Sequence, residues 1–351
     1  MKVLAFIMSV FISVSVQAKI WRVNNNVGIA ADFTTIQNAH NAAAAGDTLY
    51  LEGSNTSYGT LTSTKQLYII GPGYFLDQIP NSQVGQLTAK VDNFTLNTGA
   101  AGTVIMGVDF YGNSLTINCN DVTIRKNKFS SPSGNDPLYW PGTITLNHVN
   151  NSSVNPGVSN IIIAQNIGVT ISATKPSNNI LITNNIITYP ANHGENTTNP
   201  CLDGGQNTVM LIQNNIFRRA RISVYGSTIT NNIMVAGSFL PNNNLYSNNI
   251  GNSTQFGTDN GNQSNVAMTS VFTGTGAPDE AYKLKAGSPA IGAGYGSTAS
   301  SPIDCGIYSG SLPYVVAGQV NMPVIYFFNN QPIGSNTDPI KVSVKVRASG
   351  N

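Results

Sequence analysis

Along the middle of the chain, apolar residues recur in short alternating runs that close on asparagine. Val122-Thr-Ile124-Arg-Lys-Asn127-Lys-Phe129, Ile161-Ile-Ile163-Ala-Gln-Asn166-Ile167, Ile180-Leu-Ile182-Thr-Asn-Asn185-Ile-Ile187 and Met210-Leu-Ile212-Gln-Asn-Asn215-Ile-Phe217 are copies of one phrase. Shorter copies end at Asn232 and Asn249, while Val104-Ile-Met-Gly-Val108 and Ile144-Thr-Leu146 keep the alternation without the asparagine. A period of two puts every second side chain on one face of a strand. With all eight copies counted, successive copies lie about 17 to 20 residues apart, with one step near 30, which suits one coil of a parallel β-solenoid. That period is too short for stacked helix pairs, and the Leu-x-x-Leu-x-Leu phrase of leucine-rich repeats is absent. Asparagine at each strand end tolerates the left-handed backbone of a sharp corner. Stacked at about 4.8 Å, the amides of Asn127, Asn166, Asn185, Asn215, Asn232 and Asn249 are expected to bond to one another up the stack.

One helix is predicted ahead of the repeats. Thr34-Thr35-Ile36-Gln37 reads as a capping box, Ile36, Ala39, Ala43 and Ala44 form a thin apolar face, and Gly46 offers a left-handed stop. Such a helix would cover the open end of a sheet stack. Thr48 to Leu51 follows as a strand. Near the other end, residues 324–328 and 340–346 read as two strands joined by a Gly/Asn/Asp/Pro loop, and predict a terminal hairpin over the last coil. At the start, Met1-Lys2 precedes an apolar run from Val3 to Val16, and Val16-Gln17-Ala18 has the small-residue pattern of a leader cleavage site. The run is short for a bilayer span and no later run is longer. The expected organisation is a signal peptide over 1–18, cut near Ala18, a solenoid over 19–312 with its cap, and a β extension over 313–351. The mature protein is expected to be secreted, at the cell surface or periplasmic, without a membrane span.

Composition narrows the partners. Of 351 residues, 41% are hydrophobic and 9% charged, against roughly 25% charged in a typical domain. The net charge is +2 with no basic tract, which argues against nucleic acid as a partner. Three cysteines, Cys119, Cys201 and Cys305, lie too far apart in sequence for a Cys-x-x-Cys site. Cys119 alternates with Leu115 and Ile117 and reads as a buried thiol, whereas pairing of Cys201 with Cys305 stays open. No metal site and no cofactor are expected.

The opening, Asp32-Phe-Thr-Thr-Ile36 through Asp47-Thr-Leu-Tyr-Leu51 and Leu67-Tyr-Ile-Ile-Gly71-Pro-Gly-Tyr74, resembles that of the pectate-lyase-like right-handed parallel β-helix superfamily. The Asn-Asn-Ile corner does so too, and Tyr282-Lys-Leu-Lys-Ala-Gly287-Ser-Pro-Ala-Ile-Gly-Ala-Gly294 with Asp304-Cys-Gly306-Ile-Tyr308 is similar to the closing segment of exported bacterial β-helix proteins. The resemblance spans most of Trp21 to Tyr314 and implies an all-β fold. That fold is a single-stranded right-handed parallel β-helix of about ten coils, with an N-terminal capping helix and a C-terminal β extension. It does not transmit an activity, because lyases, hydrolases, esterases and non-catalytic proteins share the fold. The stacked acidic residues of calcium-dependent lyases, the Arg-x-Pro-x-x-Arg phrase of one lyase group and the paired-Asp signature of polygalacturonases are missing from this chain.

Two insertions follow the asparagine corner and are expected to project from one side, about three coils or roughly 14 Å apart. The first, 130–142, carries Asp136, Tyr139 and Trp140; the second, 190–207, carries His193, Glu195, Cys201 and Asp203. Beyond them comes Arg218-Arg219-Ala-Arg221. In the superfamily this side commonly holds the substrate groove. Arginine binds a planar carboxylate bidentately and stabilises enolate-like charge, so Arg218, Arg219 and Arg221 are candidates for gripping a uronate. His193 or Tyr189 could move the proton. Tyr139 and Trp140 offer flat faces to a sugar ring, and Glu195 and Asp203 are further substrate contacts or, at a suitable separation, the carboxylate pair of a glycosidase. His40 and His148 read as structural, and Arg125, Lys126 and Lys128 as a solvated basic spot. Three functions stand: polysaccharide binding along one face of the solenoid, metal-independent lysis of uronate-containing glycans, and a structural or adhesive rod at the cell surface.

Overall fold

The computed structural model describes residues 17–112, 114–131, 136–149, 154–189, 200–240, 242–331, 334 and 339–347. Ten parallel strands, from Ile20–Val23 to Leu245–Ser247, stack in chain order into one sheet, one strand to each coil. Their inward residues share one register: Ile105, Ile124, Ile163, Ile182, Ile212 and Ile229 follow one another up the stack, each with no exposed surface. Burial of a side chain of this size is worth roughly 1.5–3 kcal/mol, which fixes register as well as stability.

A second sheet of fifteen strands forms the other two sides of the coils. Strand Ile167–Ala173 runs through both sides. Ile167 pairs with Lys128 and Ile186, whereas Ile171 pairs with Ile144 and Leu202. The molecule is therefore a parallel β-helix with three faces, named first, second and third in chain order. Inside it, Phe110 and Phe129 of successive coils stack at 4.6 Å with rings parallel to within 2°.

Strand Gly142–Leu146 lies on the third face, beside Ser114–Ile117 and Ile167–Ala173, and does not start a coil of its own. Each face buries one side, so alternation reads alike on all three and does not identify the face. The step from Asn127 to Asn166 is thus one coil of 39 residues. The two insertions belong to the fifth and seventh coils, two coils apart rather than three.

Helix Ile36–Ala42 packs on the strands of the first two coils. Its N-cap is Thr35, whose hydroxyl accepts from Asn38 N, and not Thr34. Gln37 Oε1 accepts from Thr62 N, so the expected capping box does not close. The helix ends before Gly46, because Lys65 Nζ donates to the carbonyls of His40, Asn41 and Ala43 and satisfies its C-terminal groups.

After the tenth coil the chain turns back along the helix. Cys305 Sγ donates to Asn248 O, Gly306 N to Asn231 O, and Gln165 Nε2 reaches Pro313 O, so residues 305–319 descend past successive coils. The antiparallel hairpin Val324–Asn330 with Val342–Arg347 consequently docks on the 75–88 loop of the third coil. Val84 N donates to Ile325 O at 2.8 Å and Arg347 Nη2 to Ser82 O at 3.3 Å. The hairpin does not cover the last coil, because this return segment carries it toward the other end.

Candidate functional site

From the fifth coil on, the chain turns from first to second face through two residues with separate tasks. The inner one is a fully buried asparagine. Asn127 Nδ2 donates to Asn166 Oδ1 at 3.1 Å, Asn166 to Asn185 at 2.9 Å, and Asn185 to Asn215 at 3.0 Å. Asn215 donates to Asn232 and Asn232 to Asn249, both at 3.0 Å, and Asn262 continues the column. Each amide also bonds backbone of the preceding coil, as Asn185 Nδ2 does to Ile163 O at 2.8 Å. The left-handed backbone falls one residue earlier than expected: Lys126, Gln165, Asn184, Asn214, Asn231 and Asn248 have φ of 54–59°. On the fourth coil glycine takes this outer place; at Gly107 (φ 70°) a Cβ would lie 2.3 Å from Gly71 O.

These outer residues hold the return segment. Asn248 Nδ2 donates to Ala293 O (2.9 Å), Asn214 Nδ2 to Gly306 O (3.2 Å), Asn184 Nδ2 to Ile307 O (2.6 Å) and Lys126 Nζ to Gln319 O (3.2 Å). Next along the chain, Ile167, Ile186, Ile216, Ile233 and Ile250 begin the second face and point outward. They are buried in a second apolar cluster with Val271, Tyr282, Cys305, Ile307 and Tyr314. At its end Tyr74 and Tyr314 share a hydroxyl bond of 2.6 Å, and Asp279 accepts from Tyr314 (3.3 Å) and Ala317 N (2.6 Å). Burial raises the Asp279 carboxyl above its ordinary value.

On the third to fifth coils the same outward position carries charge. Lys90 lies in register with Asp109, Asp109 with Lys128, and Lys128 with Ile167. Lys128 Nζ is 2.9 Å from Asp109 Oδ2, and Asp109 is fully buried. Lys128 Nζ stands 5.6 Å from the Phe75 ring and Lys90 Nζ 5.6 Å from that of Tyr111. Phe75, Asp77, Gln78 and Thr88 join Lys90, Asp109 and Lys128 around an open groove of about 600 Å³. Sequence reasoning missed this column. Its signal lies in Ala89-Lys90-Val91, Val108-Asp109-Phe110 and Asn127-Lys128-Phe129, each a charge set before an inward apolar residue. The expected basic spot is divided instead: Lys126 holds the return segment and Lys128 pairs with Asp109.

The sequence-selected residues fall in several places. Arg218 ends strand Ile216–Arg218 on the second face, Arg219 turns the corner at φ 54°, and Arg221 lies on the third face beside Ser238. Arg218 Nη1 donates to Leu138 O at 3.1 Å, and the guanidinium carbons of Arg218 and Arg219 lie 5.5 and 5.7 Å from the Tyr139 ring. Burial raises the Tyr282 hydroxyl while the nearby Arg218 opposes that rise. The structure thus brings Arg218, Arg219 and Tyr139 together, three coils or about 14 Å beyond Lys128. Trp140 is half-buried, its backbone N donating to Asp136 O. Tyr189 packs against the main core, and Asp203, on the third face, accepts from Gly205 N at 3.1 Å in a local turn. His193 and Glu195 lie outside the described residues. His40 Nε2 accepts from Thr64 N, and His148 Nδ1 lies 2.6 Å from Asn155 O.

Cys119, Cys201 and Cys305 are separate buried thiols, and burial pushes Cys119 and Cys305 up to about 12. Among the described residues, no three His, Cys, Asp or Glu side chains are grouped to hold a metal ion, and no helix is long and apolar enough to cross a membrane. No protein-family model matches the chain, and no curated protein matches it. Among solved structures it is similar to the crystal structure of pectate lyase Pel9A, with 14% identity and a TM-score of 0.37, over 83% of this chain and 96% of that one. A likeness of that size carries no functional information.

Proposed function

We propose that the protein engages acidic polysaccharide in the groove of the third to fifth coils. One observation carries this reading. A chain with only 17 basic and 15 acidic residues in 351 places two lysines and an aspartate in register on successive coils, beside an aromatic ring and an open groove. Lys90 and Lys128 are two coils, or about 10 Å, apart along the helix axis, and Lys128 is buried beside Asp109, so an extended chain laid along the groove meets its cation at Lys90. Asp109 pairs with Lys128, so Lys90 is the cation for a carboxylate, with the exposed Asp77 on the same lining to keep that carboxylate on the Lys90 side, while Phe75 offers a flat apolar surface to a sugar ring. The leader read in residues 1–18 fits a partner outside the cell. The reading is one of binding: Arg218 is committed to Leu138 O and Tyr189 to the core, which supports engagement rather than lysis at those residues.

The test is calorimetric titration with polygalacturonate, alginate and hyaluronan, with neutral starch as control, while absorbance of unsaturated products is followed. Binding to at least one acidic glycan is expected, weakened about tenfold (1.4 kcal/mol) by Lys90→Gln and unchanged by Arg218→Gln. Loss on Arg218→Gln alone would move the site to the Tyr139 patch. Silence with every glycan would leave the rod.

A further inference from the structure

The N-terminal edge of the first sheet carries a contact whose chemistry depends on where the chain begins. Asp47 is 4% exposed, yet its carboxylate faces the start of the strand Ile20–Val23. Oδ1 accepts from the backbone N of Lys19 at 2.8 Å, and Oδ2 from Trp21 Nε1 at 2.8 Å and Ala44 N at 2.9 Å. Lys19 is fixed from its other end as well, because Thr48 N donates to Lys19 O at 2.8 Å. Its own ammonium lies 3.2 Å from the centre of the Trp21 ring. Gln17, Ala18 and Lys19 are exposed. A buried carboxylate therefore rests on the nitrogen that follows the Val16-Gln17-Ala18 pattern.

We propose that the Ala18–Lys19 bond is the processing site of this chain and that Asp47 is the receptor for the new α-ammonium of Lys19. The proposal rests on the leader reading of residues 1–18 and is independent of the groove. Hydrolysis by an export peptidase consumes one water: the Ala18 C–N bond breaks, the acyl carbon takes the water oxygen and becomes a carboxylate, and the Lys19 nitrogen takes both water protons and leaves as an ammonium. The amide N–H donated to the Asp47 carboxylate becomes an ammonium N–H, and a charge–dipole contact becomes an ion pair. Cleavage thereby locks the first coil at the moment the leader is removed.

The charges facing the new ammonium are Asp47, from the turn before Thr48–Leu51, and the side-chain ammonium of Lys19 itself. Lys65 is held by the carbonyls of His40, Asn41 and Ala43, and His40 accepts from Thr64 N. Burial pushes the Asp47 carboxyl up, but the bonds from Lys19, Trp21 and Ala44 and the Lys19 charge outweigh this and hold it below its ordinary value. An opposite charge in contact favours the charged form of the new α-amine, whose ordinary range is about 7.7–8.0. A raised group stabilises fully below its unfolded value and loses that contribution as pH climbs through its folded value. The loss accordingly begins above about pH 8.

Mass spectrometry of the exported full-length product should place its first residue at Lys19. Thermal unfolding is then compared between the chain beginning at Lys19 and one carrying Gln17-Ala18 ahead of it. Between pH 7 and pH 9.5 the Lys19 chain should lose roughly 2 °C or more of Tm relative to the extended chain. Asp47→Asn should remove that difference. A first residue other than Lys19 overturns the processing site. A first residue at Lys19 with identical pH profiles for the two chains overturns the receptor role of Asp47, and this comparison needs no variant to fold.

Discussion

From the third coil on, the second face opens with an outward residue, and the two parts of this stretch treat it in opposite ways. From the sixth coil on it is isoleucine at 167, 186, 216, 233 and 250, sealed beneath the return segment. On the third to fifth coils it is Lys90, Asp109 and Lys128, beside an open groove. Strand geometry is the same in both halves, since Lys128 and Ile167 are register partners. What differs is the cost of leaving the position wet. An outward isoleucine row is a surface that another segment gains by covering, roughly 25 cal/mol for each Å² removed from water. Lys90 resists covering, because its charge would have to leave water, whereas Asp109 and Lys128 are buried only as a pair. The chemistry of one position per coil thus sets where the flank is closed and where a ligand can reach it.

The sharpest way to break this contrast is to move charge into the closed half. Ile216→Asp places an unpaired carboxylate under the return segment and should lower stability by more than about 4 kcal/mol in denaturant unfolding. It should also open residues 271–314 to proteolysis; an effect near zero would mean the segment is only loosely laid on the coils. Next comes the open half. Lys128→Met strands the buried Asp109 and should lose about 3–5 kcal/mol, while adding Asp109→Asn should restore most of it. A single variant as stable as the parent would show that Asp109 does not depend on Lys128.

The smallest effects separate the two corner residues. Asn215→Ala leaves the backbone N and amide of Asn185 without their acceptor and should lose about 1–3 kcal/mol. Asn214→Gly keeps the left-handed corner at φ 55° and gives up only the bonds to the return segment, so less than about 1 kcal/mol is expected. Its signature is faster amide exchange in residues 304–309 with the coils unchanged. Equal losses at 214 and 215 would erase the distinction between inner and outer residue.

The asparagine phrases made the coils legible because each copy repeats the same local demand: an inward isoleucine, a corner and an amide that bonds its equivalent in the next coil. Ile144–Leu146 misled for the same reason, since alternation records burial of one side and not which face is buried. The neighbours of the Arg218 region were partly legible, because Tyr139 lies on the insertion that reaches it. Lys90, Asp109 and Lys128 were not, because they are 19 residues apart at each step with unlike charges, and only the register makes them one column.

The sequence by itself determined that this chain winds as a parallel solenoid with buried asparagine corners, because those are nearest-neighbour properties repeated coil after coil. Only the tertiary structure decided that the chain returns along its own corner, that the isoleucine half of the flank is shut and that the lysine half stays open. Those outcomes depend on contacts between residues as far apart as Tyr74 and Tyr314, 240 positions along the chain. No local pattern encodes such a pairing. It follows from apolar surface left uncovered by one segment and covered by another.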